Sequence, residues 1–308
     1  MRIAILGATS QIAQDLIEAF SDEESKSLSL FARRPIAVEK WLESKGLSGR
    51  FSVDDFSSFA QQTFDVVINF IGVGDPAEAI AMGNSIFDLT LRFDEIVLDY
   101  LKVHPNCRYL FLSSGAAYGS SFKEPVTRET PAIVSLNNLA ESEWYGVAKL
   151  YAECRHRAHS ELSIIDVRVF NYFSHTQNIS ARFLITEIAR AIRDGTVLKT
   201  SADFIMRDYL HPSDFYQLLS VLVAAPTGTN AVVDCYSLAP IEKKELLETM
   251  QEKFDLRYEV VQNVGNITAT GSKPHYYSLN TIASDFGYKP RLNSLDGILL
   301  EVSKMLLV

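Results

Sequence analysis

The chain of 308 residues has only three cysteines, and Cys107, Cys154 and Cys235 lie far apart with no CxxC pair. That spacing excludes a disulfide framework and a zinc site of paired cysteines, so no metal site is expected and the thiols fit a reducing cytoplasm. Basic residues are outnumbered, with 29 Lys+Arg against 38 Asp+Glu and a formal net charge of −9. An acidic chain is poorly suited to wrap a nucleic-acid backbone or an anionic membrane, although one local basic pocket for a small phosphorylated ligand is compatible with it. Nothing approaches the roughly 18 uninterrupted apolar residues of a membrane span. The opening MRIAILGATS has no charged region followed by a long apolar run, so no signal peptide is expected. Gly-Pro-rich tracts and internal repeats are absent too. What remains, 47% hydrophobic and 22% charged residues, is an ordinary folded composition long enough for one large domain or two.

Short apolar runs alternate with amphipathic stretches. RIAIL at 2–6 predicts a buried strand, Gly7 a tight turn, and Ser10–Phe20 a helix with Ile12, Leu16, Ile17 and Phe20 on one face. Further strands are expected at 28–32, 65–71, 109–113 and 164–170, and helices at 85–103 and 142–159. Strands separated by helices of this length imply parallel βαβ units and an α/β fold with a doubly wound parallel sheet. Beyond Phe170 the rhythm loosens. A helix near 181–193, a strand-turn-helix at 204–222 and a last helix at 295–306 are expected, and no linker marks a boundary.

The segment Gly7-Ala8-Thr9-Ser10-Gln11-Ile12-Ala13 joins the first strand to the first helix. A glycine-rich turn there aims backbone N–H groups and a helix N-terminus at a pyrophosphate. Of the expected glycines at 7, 10 and 13, only Gly7 is glycine. Ala13 is an accepted substitute, whereas Ser10 departs at the position where backbone meets phosphate. At the end of the second strand an acidic residue would mark NAD, but the chain has Arg33-Arg34. Two guanidiniums suit a 2′-phosphate through bidentate bonds, so NADP(H) is expected over NAD(H).

Tyr145 and Lys149 sit four apart in an expected helix and share a face. A phenol is a poor base at pH 7 until a cation stabilises its anion, and an ammonium one turn away can do so. Composition alone gives roughly half a chance YxxxK match, so the pair gains weight only from its setting. That setting is SSGAAYG at 113–119, directly after a strand whose carboxyl end faces a ligand crevice. Ser114 there can hydrogen-bond a substrate oxygen while Tyr145 exchanges its proton.

With these residues the chain resembles the extended short-chain dehydrogenase/reductase family, the nucleotide-sugar epimerases and reductases. The matching stretches are GATSQIA, VVINFIG with Asn69, SSGAAYG, WYGVAKLYAE, RVFNYFS and RDYLHPSDF, in the family's order from residue 3 to about 215. The resemblance implies Ser114, Tyr145 and Lys149 as catalytic residues. It implies cofactor contacts from Gly7, Thr9, Ser10, Gln11, Ile12, Phe70, Gly72 and Lys149, with Asp55 (Asp54 as second choice) near the adenine. It also implies substrate contacts from Asn171 and from Arg207 on the diphosphate. Lys273 and His275 fall where a second cation is expected, although the family usually has arginine there. A Rossmann domain is expected over 1–170 with 209–235 returning to it. A smaller mixed α/β C-terminal substrate domain is expected from 171–208 and 236–308. The resemblance further implies a homodimer paired through the helices at 85–103 and 142–159.

Two absences narrow the reaction. Family dehydratases carry an Asp-Glu pair directly after the catalytic hydroxyl, and epimerase-reductases that invert neighbouring carbons carry a cysteine there. Gly115-Ala116 supplies neither. Hydride transfer at one carbon is left, and the arginines favour an NADPH-dependent reductase of a nucleotide-linked 4-keto sugar. A 4-epimerase is the alternative. A non-catalytic NADP-binding sensor is a third reading, supported by Ser10 and opposed by the intact Ser114/Tyr145/Lys149 set.

Overall fold

In RIAIL every residue after Arg2 is buried, and alternate side chains leave on opposite faces, so the strand can form only inside a sheet covered on both sides. A computed structural model, describing residues 1–74, 76–261 and 273–307, shows how that is achieved. β1 (Arg2–Leu6) leads into α1 (Gln11–Phe20), β2 (Ser27–Phe31), α2 (Pro35–Ser44), β3 (Ser52–Asp54) and β4 (Val66–Asn69). α3 (Pro76–Met82), α4 (Ser85–Val103), β5 (Arg108–Ser114), α5 (Trp144–Ala158) and β6 (Ile164–Val169) follow. Next come β7 (Asn171–Tyr172), α6 (Leu184–Asp194), β8 (Val197–Thr200), β9 (Met206–Arg207), β10 (Tyr209–Leu210), α7 (Pro212–Val223) and β11 (Asn230–Asp234). The last described elements are β12 (Ile241–Glu242), α8 (Lys243–Phe254), β13 (Arg257–Val260), β14 (His275–Tyr276) and α9 (Ser294–Leu306).

Seven strands form one parallel sheet in the order β3-β2-β1-β4-β5-β6-β11. Strand order reverses between β1 and β4, which opens a crevice at their carboxyl ends. Ile3 and Ile5 pack with Leu16 and Ile17 of α1 and Leu218 and Leu222 of α7 on one face. Ala4 and Leu6 pack with Val97 and Leu101 of α4 on the other. Each of the Ile, Leu and Val side chains withdrawn from water contributes about 1.5–3 kcal/mol, which makes the doubly wound arrangement the stable one for this pattern. Arg108, at the buried start of β5, donates its guanidinium to the carbonyls of Val223 and Ala225 and so closes the C-terminal end of α7.

The remaining strands form small sheets: β10 with β7, β13 with β8, and β12-β9-β14. A separate apolar cluster, including Phe173, Ile188, Leu246 and Ile298, underlies them. The elements differ from the sequence reading in detail. α5 starts at Trp144 after a 3-10 turn at Glu141–Glu143 rather than at 142, and α6 starts at Leu184 rather than near 181. The strand expected from 204 is reduced to the two-residue β9 and β10, because Asp208 between them turns inward to bond Ser237 and Ser294. α2 and β3 were not expected at all; α2 has few buried positions, only Val38 and Leu42, and β3 is three residues long. Gly271 and Ser272 of the GSKPHYYSLN stretch lie outside the described residues. Among the described residues no helix is long and apolar enough to cross a membrane.

Candidate active site

A cleft of about 1040 Å³ lies over the carboxyl ends of β1, β4, β5 and β6. Its first wall is the β1–α1 turn. Gly7 has φ +83°, and a Cβ there would meet Ile71 and the Phe70 carbonyl carbon at 3.1 Å, so only glycine brings the turn this close to β4. The Gly7 and Ala8 N–H groups bond the Phe31 carbonyl at 2.9 and 3.1 Å, which fixes the turn to β2. Ser10 is the N-cap of α1 with ordinary extended angles (φ −68°, ψ 136°), so the missing second glycine imposes no backbone strain. The Ser10 side chain does not cap α1, and the first turn of the helix has no acidic residue. The N–H groups of that turn are thus presented beside Thr9, Ser10, Gln11 and Ile12, all of which line the cleft. A turn that requires glycine at position 7, and a helix N-terminus that Ser10 leaves uncapped, suit the pyrophosphate of a dinucleotide.

Arg33 lines the same wall, whereas Arg34 is the exposed N-cap of α2 and does not line the cleft. Asp55 does not line it either. Its carboxylate accepts the Ser57 backbone N–H at 2.8 Å and the Ser57 hydroxyl at 2.5 Å, capping the 3-10 helix Phe56–Gln61. The Ser57 bonds also hold its pKa below the usual value. Asp54 accepts from the Gln62 amide at 3.3 Å. The aromatic Phe56 lines the cleft beside them.

Ser114, Tyr145 and Lys149 meet at the floor. Ser114 ends β5, and its hydroxyl oxygen accepts the Ala116 N–H at 3.2 Å. Tyr145 lines the cleft with Ser114, and burial and the neighbouring Tyr276 phenol push its pKa up. Lys149 is 3% exposed and donates to the Leu112 carbonyl at 2.7 Å, with its Nζ 4.4 Å from the Phe111 ring centroid and 5.9 Å from that of Tyr145. Burial lowers its pKa to about 8, against the pull of Asp94, Glu153 and Asp166 behind it. A Cβ on Gly72 would come within 3.3 Å of Nζ, so the absence of a side chain there leaves the ammonium its place.

Those carboxylates belong to a buried network on α4, α5 and β6. His156, fully buried, reaches Asp94 at 2.7 Å through Nε2 and Asp166 at 2.6 Å through Nδ1. Burial alone would lower the imidazole's pKa, but the two carboxylates outweigh it and raise it to about 9. Arg155 and Arg157 complete the pairs with Asp94 and Asp166 at 2.9 and 2.7 Å. Tyr109 donates to Asp94 at 3.2 Å and accepts from Asn69 at 2.9 Å, and Asn69 in turn accepts the Ile71 N–H at 2.9 Å. Asn69 therefore fixes the backbone that carries Gly72. Ser113 donates to Glu153, which is clamped by Arg168 at 2.5 Å.

The opposite wall comes from the smaller sheets. Asn171, Arg207 and Lys273 all line the cleft. The Asn171 amide donates to the carbonyls of Asp208 and Tyr276 at 3.1 and 3.3 Å, tying β7 to the segments around it. Arg207 is 4% exposed and donates to the carbonyls of Met206 and Lys273 at 2.8 and 2.7 Å. Lys273 lies 4.7 Å from the Tyr276 ring centroid and 5.1 Å from that of Phe122, with a pKa lowered to about 8 by burial and by Arg207. His275 is absent from the lining; its N–H bonds the Phe122 carbonyl at 2.9 Å and its ring packs on Phe204. Sequence reasoning missed Arg182, a further cation on the lining, and Tyr276, whose hydroxyl is 3.3 Å from Ser114. Arg182 stands alone in its stretch without a motif. Tyr276 is one of two adjacent tyrosines, and only the sheet pairing shows which of them turns inward.

Comparison with known proteins gives the family and the fold. The model of the NAD dependent epimerase/dehydratase family matches residues 3–234. UDP-glucose 4-epimerase 4 of Oryza sativa subsp. japonica is 29% identical over 170 residues, 54% of this chain but only 40% of the rice protein. UDP-glucose 4-epimerase GEPI48 of Cyamopsis tetragonoloba is 31% identical over 117 residues, 37% of this chain and 31% of that protein. In three dimensions the chain is similar to UDP-glucuronic acid 4-epimerase of Bacillus cereus, solved with UDP-glucuronic acid and NAD. The TM-score is 0.77 at 15% identity, covering 99% of both chains. UDP-glucose 4-epimerase of Bifidobacterium longum, solved with NAD+ and UDP, gives 0.75 at 19% identity over 99% of this chain and 98% of that one. The structural likenesses show the fold, and the family model, spanning the β1–α1 turn to β11, carries the assignment: this chain belongs to the NAD dependent epimerase/dehydratase family, within the extended short-chain dehydrogenase/reductases.

Proposed function

We propose that the protein is an NADP(H)-dependent oxidoreductase that reduces a nucleotide-linked 4-keto sugar. The observation that carries the reading is the convergence of Ser114, Tyr145 and Lys149 in one cleft whose cofactor wall includes Arg33 and whose opposite wall includes Arg207 and Lys273. A nicotinamide dinucleotide bound along the α1 N-terminus would supply the hydride. Ser114 hydrogen-bonds the substrate carbonyl oxygen and orients it. Tyr145 gives that oxygen a proton as the carbonyl carbon accepts the hydride, so the C=O becomes CH–OH and the phenolate left behind is reprotonated from solvent. Lys149, a cation one helical turn away, favours that phenolate. Arg207, Lys273 and Arg182 offer positive charge to a diphosphate.

Elimination is disfavoured by space as well as by residue type. A Cβ at Gly115 would lie 2.4 Å from the Phe170 ring, so no carboxylate can follow Ser114 without moving that ring. Arg33 supports the 2′-phosphate and hence NADPH. The 4-epimerase alternative keeps its place because the similar proteins named above are 4-epimerases and those structures hold NAD.

The test is NADPH oxidation with a panel of nucleotide 4-keto sugars. Tyr145→Phe is expected to lower turnover at least about a hundredfold with cofactor affinity near normal. Full activity in that variant overturns the mechanism. Protein purified with oxidised cofactor already bound, turning over sugar nucleotides without added NADPH, would favour the epimerase. Free thiols at Cys107, Cys154 and Cys235 suit a reducing cytoplasm. Pairing through α4 and α5 would make a homodimer, and a monomeric mass by light scattering at micromolar concentration would refute it.

A further inference from the structure

We propose that Tyr276 is a positioning residue for this site: its phenol hydrogen-bonds Ser114 so that the serine's own proton is directed at the Tyr145–substrate oxygen pair. The inference rests on the functional reading above for the roles of Ser114 and Tyr145, and otherwise on geometry.

A serine hydroxyl has one proton to donate and two lone pairs to accept with. The Ala116 N–H points at the Ser114 oxygen from 3.2 Å, and the Tyr276 hydroxyl stands 3.3 Å from it. Either oxygen can donate across that contact, but among the described residues Ser114 is the one hydrogen-bond partner recorded for the Tyr276 hydroxyl, so the phenol's single proton is assigned to Ser114. With both serine lone pairs occupied, the serine proton is left to point into the cleft that Tyr145 also lines. Burial pushes the Tyr276 pKa up, so the phenol keeps the proton that this chain of bonds requires.

Tyr276 is also held more firmly than a pocket side chain needs to be. Its backbone pairs with Arg207 in β9, and its carbonyl accepts from Asn171. On the other side the His275 N–H bonds Phe122, and the Val126 N–H bonds the Tyr277 carbonyl at 3.1 Å. Its ring packs against Phe122 and Phe170, with centroids 4.7 and 5.2 Å away, and is 5% exposed. The strand pair that carries Arg207 to the substrate thus carries Tyr276 to the serine. A substrate gripped by Arg207 and the orientation of Ser114 share one rigid support.

The experiment is a tyrosinate absorbance titration of the protein with NADP+ bound, subtracting the Tyr145→Phe variant to isolate Tyr145. It is run on wild type, Tyr276→Phe, Ser114→Ala and the double variant. Lys149 beside Tyr145 with Asp94, Glu153 and Asp166 behind it, and Arg207 and Lys273 around Tyr276 with Glu143 near Lys273, are common to all four. Tyr276→Phe keeps the ring and its packing but removes the proton donor. Loss of the phenol's own upward push lowers the Tyr145 midpoint in both backgrounds, and the serine-mediated effect is expected to offset it by about one pH unit only where Ser114 is present, so the two shifts differ by about one unit. Turnover should fall roughly tenfold with KM nearly unchanged, and only when Ser114 is present. An equal shift in both backgrounds, or none in either, overturns the inference while the functional reading stands. Failure of the wild type to bind any nicotinamide dinucleotide overturns both.

Discussion

Replacing His156 by glutamine should change how stability depends on pH more than it changes stability at any one pH. The imidazole is fully buried between Asp94 and Asp166, and its pKa rises from 6.5 to about 9. A group whose proton is held more tightly in the folded state stabilises it fully below its unfolded pKa and loses that contribution as the pH climbs through the folded one. For His156 the window runs from about pH 6.5 to about 9. A shift of that size corresponds to about 3 kcal/mol in total, falling at about 1.4 kcal/mol per pH unit across the window. Glutamine can still bond one carboxylate, through its amide, but has no proton to lose. Lys149 and Lys273, with pKa values lowered to about 8, also titrate there, with the opposite sign. They are present in both proteins, so the difference between wild type and variant isolates the histidine. Urea unfolding at half-unit steps from pH 6 to 9.5 should show the wild type losing about 3 kcal/mol relative to His156→Gln. Parallel curves would mean that the imidazole is neutral when folded, and the account of the network would fail.

Other perturbations test separate parts of the site. Arg33→Ala should weaken NADPH binding about 10- to 100-fold, the worth of one or two charge-assisted bonds, and leave NADH unchanged; titration calorimetry with both cofactors checks it. Gly115→Ala forces its methyl into the Phe170 ring, which packs on Tyr276. A loss of about 1–3 kcal/mol in denaturant unfolding is expected, together with lower turnover. Gly7→Ala combines a strained φ of +83° with contacts at 3.1 Å. It should reduce cofactor affinity at least about tenfold, read by fluorescence titration, with the fold retained by circular dichroism.

What could be read from sequence follows from how local each signal is. β1, β4 and β5 announce themselves as buried runs because both faces of the sheet are covered, and the Gly7 turn and the Tyr145–Lys149 spacing are contained within seven residues. Arg33 and Arg34 look alike in sequence. Only the start of α2, with Arg34 as its N-cap and Pro35 following, separates the residue in the cleft from the one outside. Asp55 reads as an adenine contact by resemblance, yet its carboxylate closes its own turn on Ser57, a local bond that an Asp-x-Ser sequence favours anywhere. The His156 network and the Tyr276 contact were illegible for the opposite reason. His156 meets Asp94 across 62 positions, and Ser114 meets Tyr276 across 162, so no window of sequence contains both partners.

That last separation has a consequence for how the protein is made. Ribosomes add about 5–20 residues per second, so about 10–30 s pass between the synthesis of Ser114 and that of Tyr276. Most of the sheet, from β3 to β6, and the dinucleotide wall can assemble in that interval from contacts already translated. Residues 275–279 then dock between β9 and the Phe122–Val126 stretch as one of the last acts of folding. A nascent chain would therefore be able to hold a dinucleotide before its serine has its full set of hydrogen bonds, and competence would follow binding in time.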